Sequence, residues 1–396
     1  MRKAGSLTEL RRANRGRVLA ALRAHGALSR ARLVEATALS RSTVTAVVAE
    51  LLDSNLAVEL EAQAPVAGRS GRPPTLVRLH GSAAAAVGVE ISNRLVEVTA
   101  CDLAHEPLGT TSRSLDPGSD PIDTLRVISE LVDGVLARTG LGRDRVVGVG
   151  IALPGPIRRN SGMVGRACTL PPWIGVHAHE LAAQILDLPV LVGNDANLGA
   201  LAEVTWGAAR GRSNVAYIYT AKGIGAGLVL DGRIYAGASG TAGEIGHTTI
   251  DEDGLVCECG NRGCLNTVAD AAAIVAQLRH SHGELSIEEV IDSAHGGDIG
   301  CRRVLADAGR HIGVAIANLY NLLDPELLVF GGNLARAGDI LLDPLRDSMS
   351  RRAIQTGELP QVVTGELHDQ VVVRGATAAI LRDPSTFPLP LSLEAG

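Results

Sequence analysis

A chain of 396 residues, 46% hydrophobic and 20% charged, can bury the cores of two or three domains, which excludes a disordered chain and a disulfide-stapled mini-protein. No apolar run approaches the roughly 18 to 20 residues that cross a bilayer, and the basic start MRKAGSLTELRRANRGR has no apolar stretch behind it, so no membrane role is expected and the cytoplasm is the expected compartment. The net charge of −6 hides an asymmetry: residues 1–80 carry +7 and the remainder −13, a basic head on an acidic body, which points to a polyanion as partner of the head alone.

In chain order, three segments with helical apolar spacing come first: NRGRVLAALRAHG, SRARLVEATA and SRSTVTAVVAELLDSN. In the third, Val44, Val47, Val48, Leu51 and Leu52 form one stripe, and Ser40 occupies the N-cap position. Breaks of three or four residues force the second and third helices to cross steeply, the geometry of a helix-turn-helix. The third helix then offers Arg41, Ser42, Thr43 and Thr45 to base edges and phosphates of a major groove. LAVELEAQAPVAGRSGRPPTLVRLH reads as two strands joined by a glycine-rich wing, whose Arg69 and Arg72 reach for a minor groove. The competing reading is a small helical domain with a solvated basic surface.

From residue 83 the pattern alternates strand and helix. AAAVGVEIS and LVEVTACDL read as strands, PIDTLRVISELVDGVLARTG as a helix, VVGVGIALPGPI as a strand ending in a tight turn, and PVLVGNDANLGALAEV as strand, turn and helix. NVAYIYTAKGIGAGLVLDGRI reads as a glycine-broken hairpin, GDIGCRRVLADAGRHIGVAIANLYNLL as a long helix, PELLVFGG as a strand, and VVVRGATAAILRD as a late strand and helix. Two such α/β lobes can supply the two walls of a cleft. In the second half of the body GHTTIDEDGLVCECGNRGCLN, residues 246–266, gathers a histidine and three of the six cysteines; in a reducing compartment such a cluster reads as metal ligands rather than disulfides.

The order helix-turn-helix, VGVEIS, LPGPI, GNDAN, KGIGAG, GEIGH with CECGNRGCL, and finally FGG resembles the ROK family (repressors, uncharacterised frames and sugar kinases), in its transcriptional-regulator branch, over essentially the whole chain. The resemblance implies an α/β fold: an N-terminal winged helix-turn-helix over residues 1–80, followed by an actin-like, ribonuclease-H-like pair of lobes closing over a sugar. The lobes are expected at 83–193, with a C-terminal helix near 375–383 returning to it, and at 194–372. His247, Cys257, Cys259 and Cys264 supply one imidazole and three thiolates, a closed tetrahedral set suited to a structural Zn²⁺. The resemblance further implies that Asn194, Asp195, Glu244 and His247 hydrogen-bond sugar hydroxyls, with Asp195 at the position of the kinases' catalytic base; the plainer alternative is an Asx-turn at Asn194 and Asp195 and a surface glutamate at 244.

Departures from the kinase pattern are visible. Asn266 stands where the kinases carry an acid, and Thr169 where many members have asparagine. The first phosphate loop, Asp-x-Gly-Gly-Thr in the kinases, has Glu90, Ser92 and Asn93 here, and the second, usually Gly-Thr-Gly, reads Ala221, Lys222, Gly223. Lys222 is either a solvated lysine or a partner for an anionic group. The expected function is therefore a sequence-specific transcriptional regulator of sugar genes. As a homodimer or homotetramer it would bind a pseudo-palindromic operator, with a sugar effector in a cleft that has lost its kinase activity. The alternatives are an active sugar kinase carrying a DNA-binding head, with Asp195 as base, and a regulator controlled by a protein partner.

Overall fold

The computed structural model describes residues 7–60, 75–159, 161–354 and 358–382. The head consists of α1 (Leu7–His25), β1 (Leu28–Ser29), α2 (Arg30–Thr37), α3 (Arg41–Asp53), β2 (Ala57–Leu60) and β3 (Leu76–Leu79). Its strands pair antiparallel in the order β1-β3-β2, with Leu28 opposite Val77 and Ala57 opposite Leu79. Ser29 caps α2 and Ser40 caps α3, each accepting from a backbone N–H of the first turn. Val44, Val47, Val48 and Leu51 are buried against Val18, Leu19, Leu22 and Leu33, so the apolar stripe read from the sequence is the core of this head. The tip of the wing, with Arg69 and Arg72, lies outside the described residues.

The first lobe holds β4 (Ala85–Ile91), β5 (Leu95–Asp102), β6 (Pro107–Ser114), α4 (Pro121–Thr139), β7 (Val146–Leu153), α5 (Ala178–Leu186) and β8 (Val190–Asn194). The second holds α6 (Asp195–Trp206), β9 (Val215–Thr220), β10 (Ile224–Leu230), β11 (Arg233–Ile234), α7 (Asn266–Ala269), α8 (Ala271–His282), α9 (Ile287–His295), α10 (Ile299–Leu323), β12 (Leu327–Gly332), α11 (Asp339–Ser350) and β13 (Gln361–Thr364); α12 (Val371–Arg382) follows. The sheets run β6-β5-β4-β7-β8 and β11-β10-β9-β12-β13. In each, the first three strands are antiparallel and the last two join in parallel, so both lobes share one ribonuclease-H-like topology. All eight residues of β7 are buried, as a strand covered on both faces requires.

Two helices lie between the lobes. α12 packs on β4 and β7 of the first sheet, α6 on β9 and β10 of the second, and the two pack on each other. Their approach is close enough that a Cβ on Gly375 would collide with the Leu198 carbonyl. VVVRGATAAILRD differs from its sequence expectation: Val371–Val373 begin α12 rather than forming a strand, and the strand of this region is β13, seven residues earlier. Three consecutive β-branched residues favour a strand locally, but all three are buried here, and burial between two sheets outweighs propensity.

The fully buried Glu203 on α6 fastens this arrangement. Its carboxylate accepts from the N–H groups of Ala208 (2.8 Å), Glu366 (3.3 Å) and Leu367 (3.2 Å), tying the end of α6 to the approach of α12. Glu203→Leu leaves those donors unpaired at about 1–3 kcal/mol each. A loss of roughly 3–5 kcal/mol in urea unfolding is the expected result, and a loss below about 1 kcal/mol would contradict this role.

The head does not hang on a linker. Its core continues into Ala83, Ala84, Ala86, Leu103, Val147, Ile380 and Leu381 of the first lobe. Arg23 of α1 donates from Nε to the Leu103 carbonyl (3.0 Å) and from Nη1 to the Leu381 carbonyl. The junction between head and first lobe thus includes the β5–β6 turn and the end of α12.

Candidate functional site

On the head, Arg41, Ser42 and Thr45 are exposed at the start of α3, the end that a helix-turn-helix presents to DNA. Thr43 is half-buried, and its hydroxyl lies 2.8 Å from that of Ser40, which also accepts the Thr43 N–H. The Ser42 hydroxyl also lies 2.9 Å from that of Ser40, so Ser42 and Thr43 both serve the cap, while the exposed Arg41 and Thr45 side chains reach outward.

In the cysteine loop the ligand atoms of His247, Cys257, Cys259 and Cys264 all lie within 4.8 Å of one another. His247 Nδ1 is 3.6 Å from Cys257 Sγ, and Cys259 Sγ is 3.7 Å from Cys264 Sγ. Tetrahedral Zn–S bonds of about 2.3 Å and Zn–N bonds of about 2.0–2.1 Å require edges of roughly 3.8 Å between sulfurs and 3.6 Å between nitrogen and sulfur. The donor set and its spacing therefore fit a four-coordinate metal ion. The fold of the loop is held by backbone bridges from Thr249 to Cys264 and from Val256 to Arg262. Gly263 makes it possible: its φ is +67°, and a Cβ there would run into the Asp251 carbonyl. With Nδ1 turned to the thiols, the other nitrogen of the His247 ring is left for the cleft.

A cavity of about 400 Å³ opens between the lobes, and Asn194, Asp195, Glu244, His247, Asn266 and Thr169 all line it. Asn194 ends β8 and caps α6: its Oδ1 accepts from the Asn197 N–H (3.0 Å) and its Nδ2 donates to the Gly155 carbonyl (3.0 Å). Its role in the turn is thus established alongside its place on the cavity wall. Asp195 is the first residue of α6, with Oδ1 accepting from the Ala196 N–H (2.8 Å). Asn266 Oδ1 accepts from the Ile224 N–H (3.0 Å), bracing the β9–β10 turn. Glu244 is half-buried rather than a free surface glutamate.

The electrostatics are those of crowded, poorly hydrated acids. Burial raises Asp195 to about 7, against the pull of the Ala196 N–H and its own. Burial raises Glu244 to about 7, with Asp195 adding repulsion. Glu90, on β4, is pushed up to about 8 by burial and then by Asp195, Glu97 and Asp369. Near neutrality this cluster is partly protonated, so it offers both acceptors and donors to hydroxyl groups. Lys222 stands on the cavity wall with Nζ 3.3 Å from the Thr169 carbonyl, a contact from the second lobe to the first.

Sequence reasoning passed over Arg166, Tyr219, Glu258 and Asp270, which also line the cavity. Glu258 sits inside the cysteine motif and Asp270 caps α8, signals that were available; Tyr219 and Arg166 carry none without the fold.

The model of the ROK family matches residues 86–383. A xylose repressor of Caldicellulosiruptor bescii is 27% identical over 400 aligned positions, covering 97% of this chain and 99% of its own. A glucokinase of Halalkalibacterium halodurans is 35% identical over 254 positions, covering 60% of this chain and 75% of its own. Among solved structures, a ROK family transcriptional regulator, a homologue of the Escherichia coli Mlc protein, superposes with a TM-score of 0.82 at 28% identity, covering 95% of this chain and 98% of that one. With the match running from the first strand of the first lobe through the last helix, the chain belongs to the ROK family.

Proposed function

We propose that this protein is a DNA-binding transcriptional repressor of sugar-utilisation genes whose effector, an unphosphorylated sugar, binds between the lobes. The observation that carries this reading is a carboxylate-lined sugar-sized cleft, one wall of which belongs to the lobe whose core is continuous with a winged helix-turn-helix. Relatives that cover nearly the whole chain carry the name repressor. Asp195 and Glu244 accept sugar hydroxyls, with Asn194, His247, Asn266 and Thr169 completing the wall, and the exposed Arg41, Ser42 and Thr45 contact the operator together with Arg69 and Arg72 of the wing. The metal in the cysteine loop is a structural zinc ion, which fixes His247 and the wall of the cleft around it. Head, first lobe and second lobe divide at residues 80–83 and 193–194. Among the described residues no helix is long and apolar enough to cross a membrane, in keeping with a cytoplasmic DNA-binding protein. Two-fold pairing of chains would make the operator pseudo-palindromic.

The glucokinase relative supports a second reading, an active sugar kinase. Two observations weigh against it. The amide of Ala221 bonds to the Gly223 carbonyl (2.9 Å), and both the amide and the hydroxyl of Ser92 bond to the Leu95 carbonyl, so both turns have spent donors that a phosphate would need. The cleft is also lined by Glu90, Asp195, Glu244, Glu258 and Asp270 against Arg166 and Lys222, and even with the first three partly protonated it offers no excess of positive charge to polyphosphate or a sugar phosphate.

The test is to incubate the protein with fragmented genomic DNA, with and without sugars, and to sequence what is retained. A shared pseudo-palindrome beside transport or catabolic genes is expected. Arg41→Ala is expected to weaken binding to that site about tenfold or more and to lower the salt slope by about one unit if the contact is a phosphate. Retention of only salt-sensitive, sequence-independent DNA would reject the reading.

A further inference from the structure

The N-terminus of α6 places Asp195 in the cleft, and its last residue, Trp206, lies about 16 Å away, eleven helical rises along a twelve-residue helix. There the indole is clasped from two sides. The ring of His105 meets it edge to face, with centroids 4.7 Å apart and planes at 73°, and the Arg374 guanidinium of α12 sits 4.9 Å over its centre. His105 is buried on the β5–β6 turn, which the Asp102 carboxylate holds rigid by accepting from the Ala104 and Glu106 N–H groups. Two residues before His105 is Leu103, whose carbonyl takes the Arg23 guanidinium of the head. The same guanidinium reaches Leu381, seven residues after Arg374 on α12.

Resting on the repressor reading above, we propose that Trp206 is the positioning residue through which the state of the cleft sets the position of the DNA-binding head. A displacement of α6 on sugar binding moves the indole, and with it the turn and the helix that together hold Arg23. The Nε2 of His105 has no hydrogen-bond partner among the described residues, so on that side the edge-to-face packing against the indole is the contact that carries the motion. Burial, reinforced by Arg23, Arg374 and Arg382, keeps His105 near 3, so its ring is neutral at any pH where the protein works and the clasp does not open by protonation.

Coupling of this kind is reciprocal, so DNA at the head must be felt at the indole. The chain has two tryptophans, Trp173 and Trp206. Full-length protein carrying fluorotryptophan, assigned with the Trp206→Phe variant, is titrated with the operator recovered from genomic DNA, then with D-xylose, D-glucose and N-acetylglucosamine. Operator alone is expected to shift the Trp206 fluorine resonance and leave that of Trp173 in place. Trp206→Leu is expected to bind operator and sugar each within about twofold of wild type, and to bring the sugar-induced change in operator affinity, ordinarily about 5- to 150-fold in such systems, to within twofold of none. Should that variant fail to fold, Arg374→Gln removes one side of the clasp and is expected to reduce the same ratio. An unmoved Trp206 resonance in the operator complex, or a folded Trp206→Leu with the wild-type ratio, overturns the inference while the repressor reading stands. Failure to recover any operator overturns both.

Discussion

Asp195→Asn is expected to weaken sugar binding about 100-fold, or about 2.7 kcal/mol, while leaving the sugar-free protein's affinity for operator unchanged. The carboxylate sits at the base of the cleft with one oxygen held by the Ala196 N–H, so the remaining acceptor capacity points to the ligand. An amide can replace only one of two acceptors. Calorimetric titration checks the first half of the expectation and an operator-binding assay the second; sugar affinity within threefold of wild type would remove Asp195 from the site.

The same group sets a pH dependence with a definite sign. Its pKa rises from 3.8 unfolded to about 7 folded, so between those values the folded state holds a proton that the unfolded state has released. Stability of the sugar-free protein therefore falls as pH rises through this window, and Glu90 extends the fall to about pH 8. Sugar affinity runs the other way, increasing as Asp195 ionises near pH 7 and levelling above pH 8. Asp195→Asn should make both curves shallower, with Glu90 and Glu244 leaving a residual fall in stability, and unchanged curves in that variant would show that another group titrates.

The second large effect is expected from the cysteine loop. Cys264→Ser should reduce bound metal from one equivalent to none and cost about 4 kcal/mol or more of stability, because the buried Cys264 joins the loop to α7 and to the β9–β10 turn through Asn266. Sugar affinity should fall with it, since His247 loses its orientation. Elemental analysis and urea unfolding measure the two effects. Full metal content in the variant would contradict the four-ligand assignment.

The local geometry at these positions was legible because the residues announce themselves locally. A Ser N-cap before an apolar stripe, Asn-Asp after a strand, and Cys-x-Cys near a third cysteine are short-range signals, each held within one turn or loop, whereas the cavity that gathers Thr169, Asn194, Glu244 and Asn266 draws on both lobes. Long-range features carried no such mark. Lys222 read as a solvated lysine or a partner for an anionic group; it is exposed, and its contact with the Thr169 carbonyl across 53 positions had no mark in the sequence. Arg23 meets Leu103 and Leu381 across 80 and 358 positions, and nothing in ALRAHG sets it apart from the other arginines of the head. The valines that begin α12 were misread for a related reason: their surroundings, two sheets and α6, are distant in sequence and decide their conformation.

The continuity of apolar packing between head and first lobe bears on how operators are chosen. A DNA-binding module on a slack tether tolerates variable distances between its targets, because the tether absorbs them. Here the tether is absent, so the orientation of α3 is dictated by the body. If two such chains pair through their bodies, as the proposed function requires, the separation and relative twist of their α3 helices are fixed before DNA arrives. Adding a single base pair between half-sites rotates one target by about a tenth of a turn relative to the other, which this architecture has no slack to follow. Spacing thus becomes part of the recognised sequence, and any ligand that alters the angle between the bodies changes which spacing fits.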